Sequence, residues 1–373
     1  MREAETNIKR CEARSSLNID DRKRYGWLDV LKCVGMFEIF VGHFDASGPW
    51  MTFIFMNQVP LFFFVSGCTE FISAEGSFKG YLKKKSITLL LPYYFFCVLL
   101  IIIRLISNEI DNSEAMHQLF LAFAHGGVRN TAFGAIWFLS CLWTTSILFK
   151  LIHMLIRRTW AIVFVSMGIF LFANTVIHPI VNPSWYYNID SALYYLMYYS
   201  IGYGAFPWLR KTLSLISKDA YTARRCFLLG IVLFGYSALA FFGFDILMVL
   251  LELPILRYYV EAIRALFIIA FLLLVSYCLR DCTVLQRLGR SSLYLCGSES
   301  IAKIIVTALL SAIGVSLSLF NPLQVFVYAA LLMCGIVAIL EPVEKMALAA
   351  VKHIPSIVVA RNKETNFSSI SLG

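Results

Sequence analysis

At 373 residues, with 59% hydrophobic and only 15% charged residues and a mean hydropathy of +0.74, the chain carries more apolar mass than a soluble domain can bury. That composition excludes a water-soluble enzyme and makes lipid part of the solvent. The net charge of +9 does not point to nucleic acid as a partner, because the basic residues stand in clusters between apolar runs and form no continuous patch with interleaved aromatics.

The first 25 residues are polar and basic, with Arg2, Lys9, Arg10, Arg14, Arg22, Lys23 and Arg24. They are too charged for a secretory signal and no small-residue cleavage site follows, so an uncleaved tail is expected. Apolar runs long enough to cross a hydrocarbon core of about 30 Å then predict transmembrane helices over 27–44, 53–72, 86–106, 134–156, 160–178, 190–208, 226–243, 257–279, 292–316 and 322–342. Between them, the clusters Lys79/Lys83/Lys84/Lys85, Arg157/Arg158, Arg210/Lys211/Lys218/Arg224/Arg225 and Arg280/Arg287/Arg290 occupy alternate loops. With those loops and both tails in the cytoplasm, roughly 25 of the 32 basic residues lie inside, as the positive-inside bias requires. The expected architecture is all-α: a polytopic membrane bundle of about ten transmembrane helices, both termini cytoplasmic, multi-pass in the cell membrane with lipids as its first partners. Its divisions are a basic tail (1–25), a membrane domain (26–342) and a C-terminal tail (343–373).

Three segments fit this pattern less simply. The longest outer loop, 107–133, holds Glu109, Asp111, Glu114, His117 and His125-Gly-Gly127; it is either where an external substrate is met or an ordinary solvated loop. The apolar stretch Asp245–Leu256 is short and contains Pro254, which predicts an interfacial or re-entrant segment, with an eleventh span as the alternative. From about Glu344 the chain mixes apolar residues with Lys345, Lys352 and Arg361, a pattern suited to the inner membrane surface. The 10 cysteines are scattered without CxxC spacing, so neither a zinc site nor a disulfide framework is indicated.

Ionisable residues inside a span are costly unless they face a cavity, a partner or a substrate. The first segment has the densest set: Asp29, Lys32, Glu38 and His43. Lys32 and His43 are eleven residues apart, which returns them to within about 20° of one face and separates them by about 16 Å along the axis. A cation near the cytoplasm can hold an anionic donor, and a histidine across the bilayer can take a proton from an attacking hydroxyl. With equal weight, Lys32 snorkels beside Asp29 and His43 marks the outer interface. Glu299 and Lys303 stand four apart in the ninth segment, as a self-neutralising buried pair would. Arg257, Glu261 and Arg264 share one face of the eighth, either lining a sugar-binding vestibule or tying helices together.

These residues resemble the acyltransferase-3 family of integral membrane O-acyltransferases, in particular its fucose 4-O-acetylase-like and polysaccharide O-acetylase branches. Lys32, ten intervening residues and His43 are similar to the family's Arg/Lys-x10-His signature, and Val59-Pro-Leu-Phe-Phe-Phe-Val-Ser66-Gly67 to its Phe-Phe-x-x-Ser-Gly run. Tyr81-Leu-Lys83-Lys-Lys85 before Leu91-Pro92-Tyr93, then Ile136-Trp137-Phe138-Leu139, complete the match in order. The resemblance implies transfer of an acyl group, usually acetyl, from cytoplasmic acyl-CoA as co-substrate to a hydroxyl of a cell-surface or lipid-linked sugar, alongside glycan-assembly enzymes. No permanently bound cofactor or metal is implied. It carries His43 as catalytic base or acyl relay, Lys32 as its motif partner and Ser66 as a motif residue; Asp29, Glu38 and Glu299 are further candidates for support, and Arg264, Glu261 and Trp137 for binding the acceptor. The sequence departs from the family where Leu293-Tyr-Leu-Cys-Gly297 has glycine in place of a histidine, which makes Glu299 a candidate substitute. A secondary transporter of a glycan precursor or small solute is the alternative reading.

Overall fold

The computed structural model describes residues 24–43, 49–73, 77–127, 129, 133–181, 184–216, 218–242, 254–314 and 321–351. Among them the regular structure is helical throughout: α1 Gly26–Gly42, α2 Pro49–Ser73, α3 Phe78–Ile106, α4 Asn112–Phe120, α5 Gly134–Leu155, α6 Thr159–Ile180, α7 Ile189–Ile216, α8 Ala220–Phe241, α9 Pro254–Cys278, α10 Thr283–Arg290, α11 Ser292–Ala312 and α12 Pro322–Val351. Helix starts are fixed by side chains that satisfy orphan backbone donors. Ser77 accepts from Gly80, Asp111 from Glu114 and Asn321 from Gln324. Asp219 caps α8, and the Thr222 hydroxyl and backbone N–H hold its carboxyl below the usual carboxylate range.

Each of the ten predicted segments coincides with a helix. Seven of these, α3, α5, α6, α8, α9, α11 and α12, are long and apolar enough to cross a bilayer on their own. The other three, α1, α2 and α7, form the middle of the bundle. Their neighbours are protein, so they tolerate polar residues that a lipid-facing helix would not. α1 is 17 residues, about 25 Å of helix. Packing of α2 on α7 depends on two glycines: a Cβ on Gly67 would lie 1.9 Å from the Tyr199 carbonyl oxygen, and one on Gly202 would lie 2.0 Å from that of Phe64. The Ser66-Gly67 pair is therefore a close-packing motif as well as a lining one.

The sequence reading needs correction in three places. The loop 107–133 contains α4 and a further π turn to His125. Between the spans at 257–279 and 292–316 lies amphipathic α10, packed against α1. The last helix continues past 342 to Val351, so the boundary expected at 342 falls inside a helix. The basic tail through Lys23, Asp245–Leu253 of the suggested re-entrant segment, and residues 352–373 lie outside the described residues.

Basic residues Arg24, Lys83, Lys84, Lys85, Arg210 and Arg280 gather at one end of the bundle, called the basic end below. At the opposite end, Arg129 pairs with the fully buried Asp190 at 2.6 Å. Nearby Asn188, at φ 52°, donates to the Gly127 carbonyl and to Ser140 Oγ, both at 3.1 Å. This knot ties Gly127, Arg129 and Ser140 to the start of α7.

Candidate active site

α1 presents Lys32, Met36, Ile39 and His43 at 4-3-4 spacing, one stripe of a helix. α11 faces it with Leu293, Cys296 and Glu299. Lys32, Met36 and Ile39, with Leu293 and Cys296, line a narrow slot of about 110 Å³, closed by Phe62, Val65 and Ser66 of α2 and by Phe138, Leu139 and Leu142 of α5. Leu89 of α3 completes the wall from a π turn, Ser86–Leu90. Pro92, lacking an N–H, cannot serve the Thr88 carbonyl, and the helix is locally rewound there. The slot is polar at Lys32, Ser66 and Ser292 and otherwise apolar.

One turn beyond Ile39 on α1, and one turn beyond Cys296 on α11, the two stripes meet. His43 follows the last residue of α1, its N–H still bonded to the Ile39 carbonyl at 3.1 Å. Its Nδ1 lies 2.8 Å from both Glu299 oxygens. Glu299 is 1% exposed, and the His43 side chain is 32% exposed. Lys303 Nζ binds Glu299 Oε1 at 2.6 Å and the His43 carbonyl at 3.3 Å. An ionised carboxylate beside that ammonium can only accept, so in the neutral imidazole Nδ1 is the nitrogen that carries the proton and donates it. The Nε2 lone pair is left on the far side of the ring, unused by this pairing. A carboxylate-oriented imidazole of this kind is built to take a proton and to be stabilised once it has done so.

Sequence spacing put Lys32 and His43 on one stripe and Glu299 with Lys303; the structure joins the two sets across 256 residues. The departure at Gly297 has a steric basis: a Cβ there would fall 2.3 Å from the Phe96 ring. No side chain fits without moving Phe96, and Glu299, two residues on, reaches His43 instead.

The remaining candidates divide. Ser66 lines the slot. Asp29, 3% exposed, gathers cations near the basic end: Arg24 at 2.8 Å, Lys32 at 3.8 Å and Arg290 at 4.0 Å. Glu38 is off the His43 stripe and accepts from Asn57 of α2 at 2.8 Å, a buried tie between helices. Of the face proposed on α9, Glu261 pairs with exposed Arg257 at 3.3 Å, while Arg264 is buried against Met56 of α2. Trp137 opens the regular part of α5 immediately before the slot residues Phe138 and Leu139.

Sequence reasoning missed another buried carboxylate with a lysine partner. Glu70, 1% exposed, holds Lys85 Nζ at 2.8 Å and accepts from the Tyr199 hydroxyl at 3.0 Å. The positive-inside bias accounts for the place of Lys85 but not for this pairing, whose signal in the sequence is the acid late in α2. Among the described residues, no group of His, Cys, Asp and Glu is arranged to hold a metal ion.

No curated protein and no solved structure matches the chain. A family model described as an acyltransferase domain, that of the acyltransferase-3 family, matches residues 25–341 and so spans the whole slot and the His43–Glu299 pair. With that match over most of its length, on a helical bundle suited to the membrane, the chain belongs to the acyltransferase-3 family and is a multi-pass membrane acyltransferase.

Proposed function

We propose that this protein is an O-acyltransferase that moves an acyl group, acetyl above all, from cytoplasmic acyl-CoA to a hydroxyl of a cell-surface or lipid-linked sugar. The observation that carries the reading is the imidazole of His43 held through Nδ1 by Glu299, one helical turn beyond the lining of a slot that begins at Lys32. The positive-inside bias assigns the basic end to the cytoplasm of a cell-membrane protein, with both termini on that side. Acyl-CoA then approaches Lys32, whose ammonium suits its phosphates. The narrow, mostly apolar slot suits the pantetheine arm, which spans the distance toward His43.

In the reaction, His43 Nε2 removes the proton of the acceptor hydroxyl as its oxygen attacks the thioester carbonyl. The tetrahedral intermediate collapses with cleavage of the carbon–sulfur bond, and the coenzyme A thiolate takes the proton from the imidazolium. Glu299 stabilises the imidazolium meanwhile, and Lys303 keeps Glu299 ionised. Ser66 is a slot residue, and Trp137, Glu261 and Arg264 belong to the approach from the opposite end, where the sugar is met. A glycan-assembly enzyme would be the natural supplier of that acceptor. Transport is less well supported, because midplane sites of secondary transporters use broken helices, whereas α1, α2 and α11 each run unbroken past the slot.

The test is mass spectrometry of surface glycans from cells lacking the protein and complemented with wild type or His43→Ala. Loss of one acyl substituent that only wild type restores is expected. Full restoration by an inserted His43→Ala protein would remove His43 from the mechanism.

A further inference from the structure

A large cavity of the bundle lies away from the slot. At the basic end, a cup of about 800 Å³ is lined by Arg24, Arg210, Lys211 and Arg280, with Tyr25 and Tyr277 among its walls. Asp281 is the one acid among the described residues that line it, and its side chain is 86% exposed. Generic positive-inside residues radiate into solvent; these converge on a concavity built by the start of α1 and the ends of α7 and α9. The Arg280 guanidinium lies 4.3 Å from the Tyr277 ring centre, and the Tyr277 hydroxyl binds the Leu213 carbonyl at 2.7 Å, which fixes α9 to α7 at the cup floor.

The cup has an apolar continuation. A cleft of about 200 Å³ between α7, α8 and α9, with Phe64 of α2 in its wall, is lined mostly by apolar residues, and Leu213 belongs to both. Along α9 the lining residues Leu266, Ala270, Leu273, Tyr277 and Arg280 follow a 4-3-4-3 stripe, so one helix face passes without interruption from cleft to cup. α8, the outer wall of the cleft, exposes Phe227, Leu228, Val232 and Phe234 to the surroundings, as a lipid-facing helix does.

We propose that cup and cleft together bind one anionic phospholipid, with its phosphate headgroup in the basic cup and the start of an acyl chain in the cleft. Charge complementarity selects the occupant: with Arg24 drawn to Asp29 and Arg280 to Asp281 the cup lining still carries more cations than acids, which suits a phosphate, and a cleft that is apolar and open beside α8 takes a chain that a soluble phosphate compound lacks. Basic pockets between helices on the cytoplasmic side are suited to such headgroups. Bound there, the lipid ties α1 to α7 and α9 and so braces the helix that carries Lys32 and His43. The site is independent of the reaction assigned to the slot.

The full-length protein in mild detergent, incubated with equal amounts of phosphatidylglycerol and phosphatidylcholine and examined by native mass spectrometry, tests this directly. Wild type retains phosphatidylglycerol in preference to phosphatidylcholine. The triple variant Arg210→Gln/Lys211→Gln/Arg280→Gln loses it by more than about tenfold, since each basic residue near a headgroup contributes on the order of a fivefold gain. Ala270→Phe, which fills the cleft and leaves the charges, also weakens retention. Lys83→Gln/Lys84→Gln, which removes two exposed charges at the same end but outside the cup, retains the lipid; a melting curve for each variant confirms folding. Equal loss in the Lys83/Lys84 variant, or equal retention of both lipids, would overturn the proposal. So would displacement of the lipid by inorganic phosphate together with an unaffected Ala270→Phe, which would make this a soluble-phosphate site.

Discussion

Two buried carboxylates in this bundle look alike and are used differently. Glu299 and Glu70 are each 1% exposed and each is met by a lysine, at 2.6 and 2.8 Å. Their third partners separate them. Glu299 holds His43, a ring a third exposed and one helical turn beyond the slot lining. Glu70 holds the hydroxyl of Tyr199, which is wholly buried beside the tight α2–α7 contact. The same electrostatic unit, an acid neutralised by lysine, thus orients a reactive group in one place and fastens helices in the other. Burial and ion pairing alone do not mark an active site; what the pair presents to open space does.

The comparison can be broken at either carboxylate. Glu299→Gln leaves the shape of the site and removes the charge that fixes the His43 tautomer and stabilises its imidazolium. Acyl transfer per folded molecule is expected to fall by about 10²–10⁴, read as acylated product against protein amount. Glu70→Gln strands the Lys85 ammonium among α2, α3 and α7. Its effect is on stability, about 3 kcal/mol, read as a lower melting temperature, with transfer per folded molecule unchanged.

Smaller effects sharpen the contrast. Lys32→Ala removes the cation at the slot entrance and is expected to raise the acyl-CoA concentration for half-maximal rate about ten- to hundredfold, with little change in maximal rate. Lys32→Arg should recover part of that loss. Gly67→Ala drives a Cβ toward the Tyr199 carbonyl and should destabilise the protein by about 1–3 kcal/mol, measured by thermal unfolding in detergent, without a change specific to acyl-CoA.

How much of this was legible beforehand follows from the range of each interaction. Hydropathy located the ten long helices among the described residues, because each run of apolar residues is its own signal. It passed over α4 and α10, whose short amphipathic faces read as loop, and it stopped α12 at 342 because Glu344 and Lys345 look like the end of a span. In the structure they are absorbed: Glu344 accepts from Ser298, and Lys345 pairs with Glu341. The Lys32–His43 stripe was legible because helical spacing is local. The closure of His43 on Glu299 was not, since no periodicity reports a contact between helices 256 residues apart. Gly297 in place of histidine hinted that something else had to serve, and the Phe96 ring shows why that something is displaced by two residues.

The central claim, that Glu299 makes His43 a base, is tested most directly by acyl transfer per folded molecule in Glu299→Gln set beside Glu70→Gln in the same membranes. The account predicts transfer reduced by about a hundredfold or more in Glu299→Gln and unchanged in Glu70→Gln. Wild-type transfer per folded molecule in Glu299→Gln would contradict it.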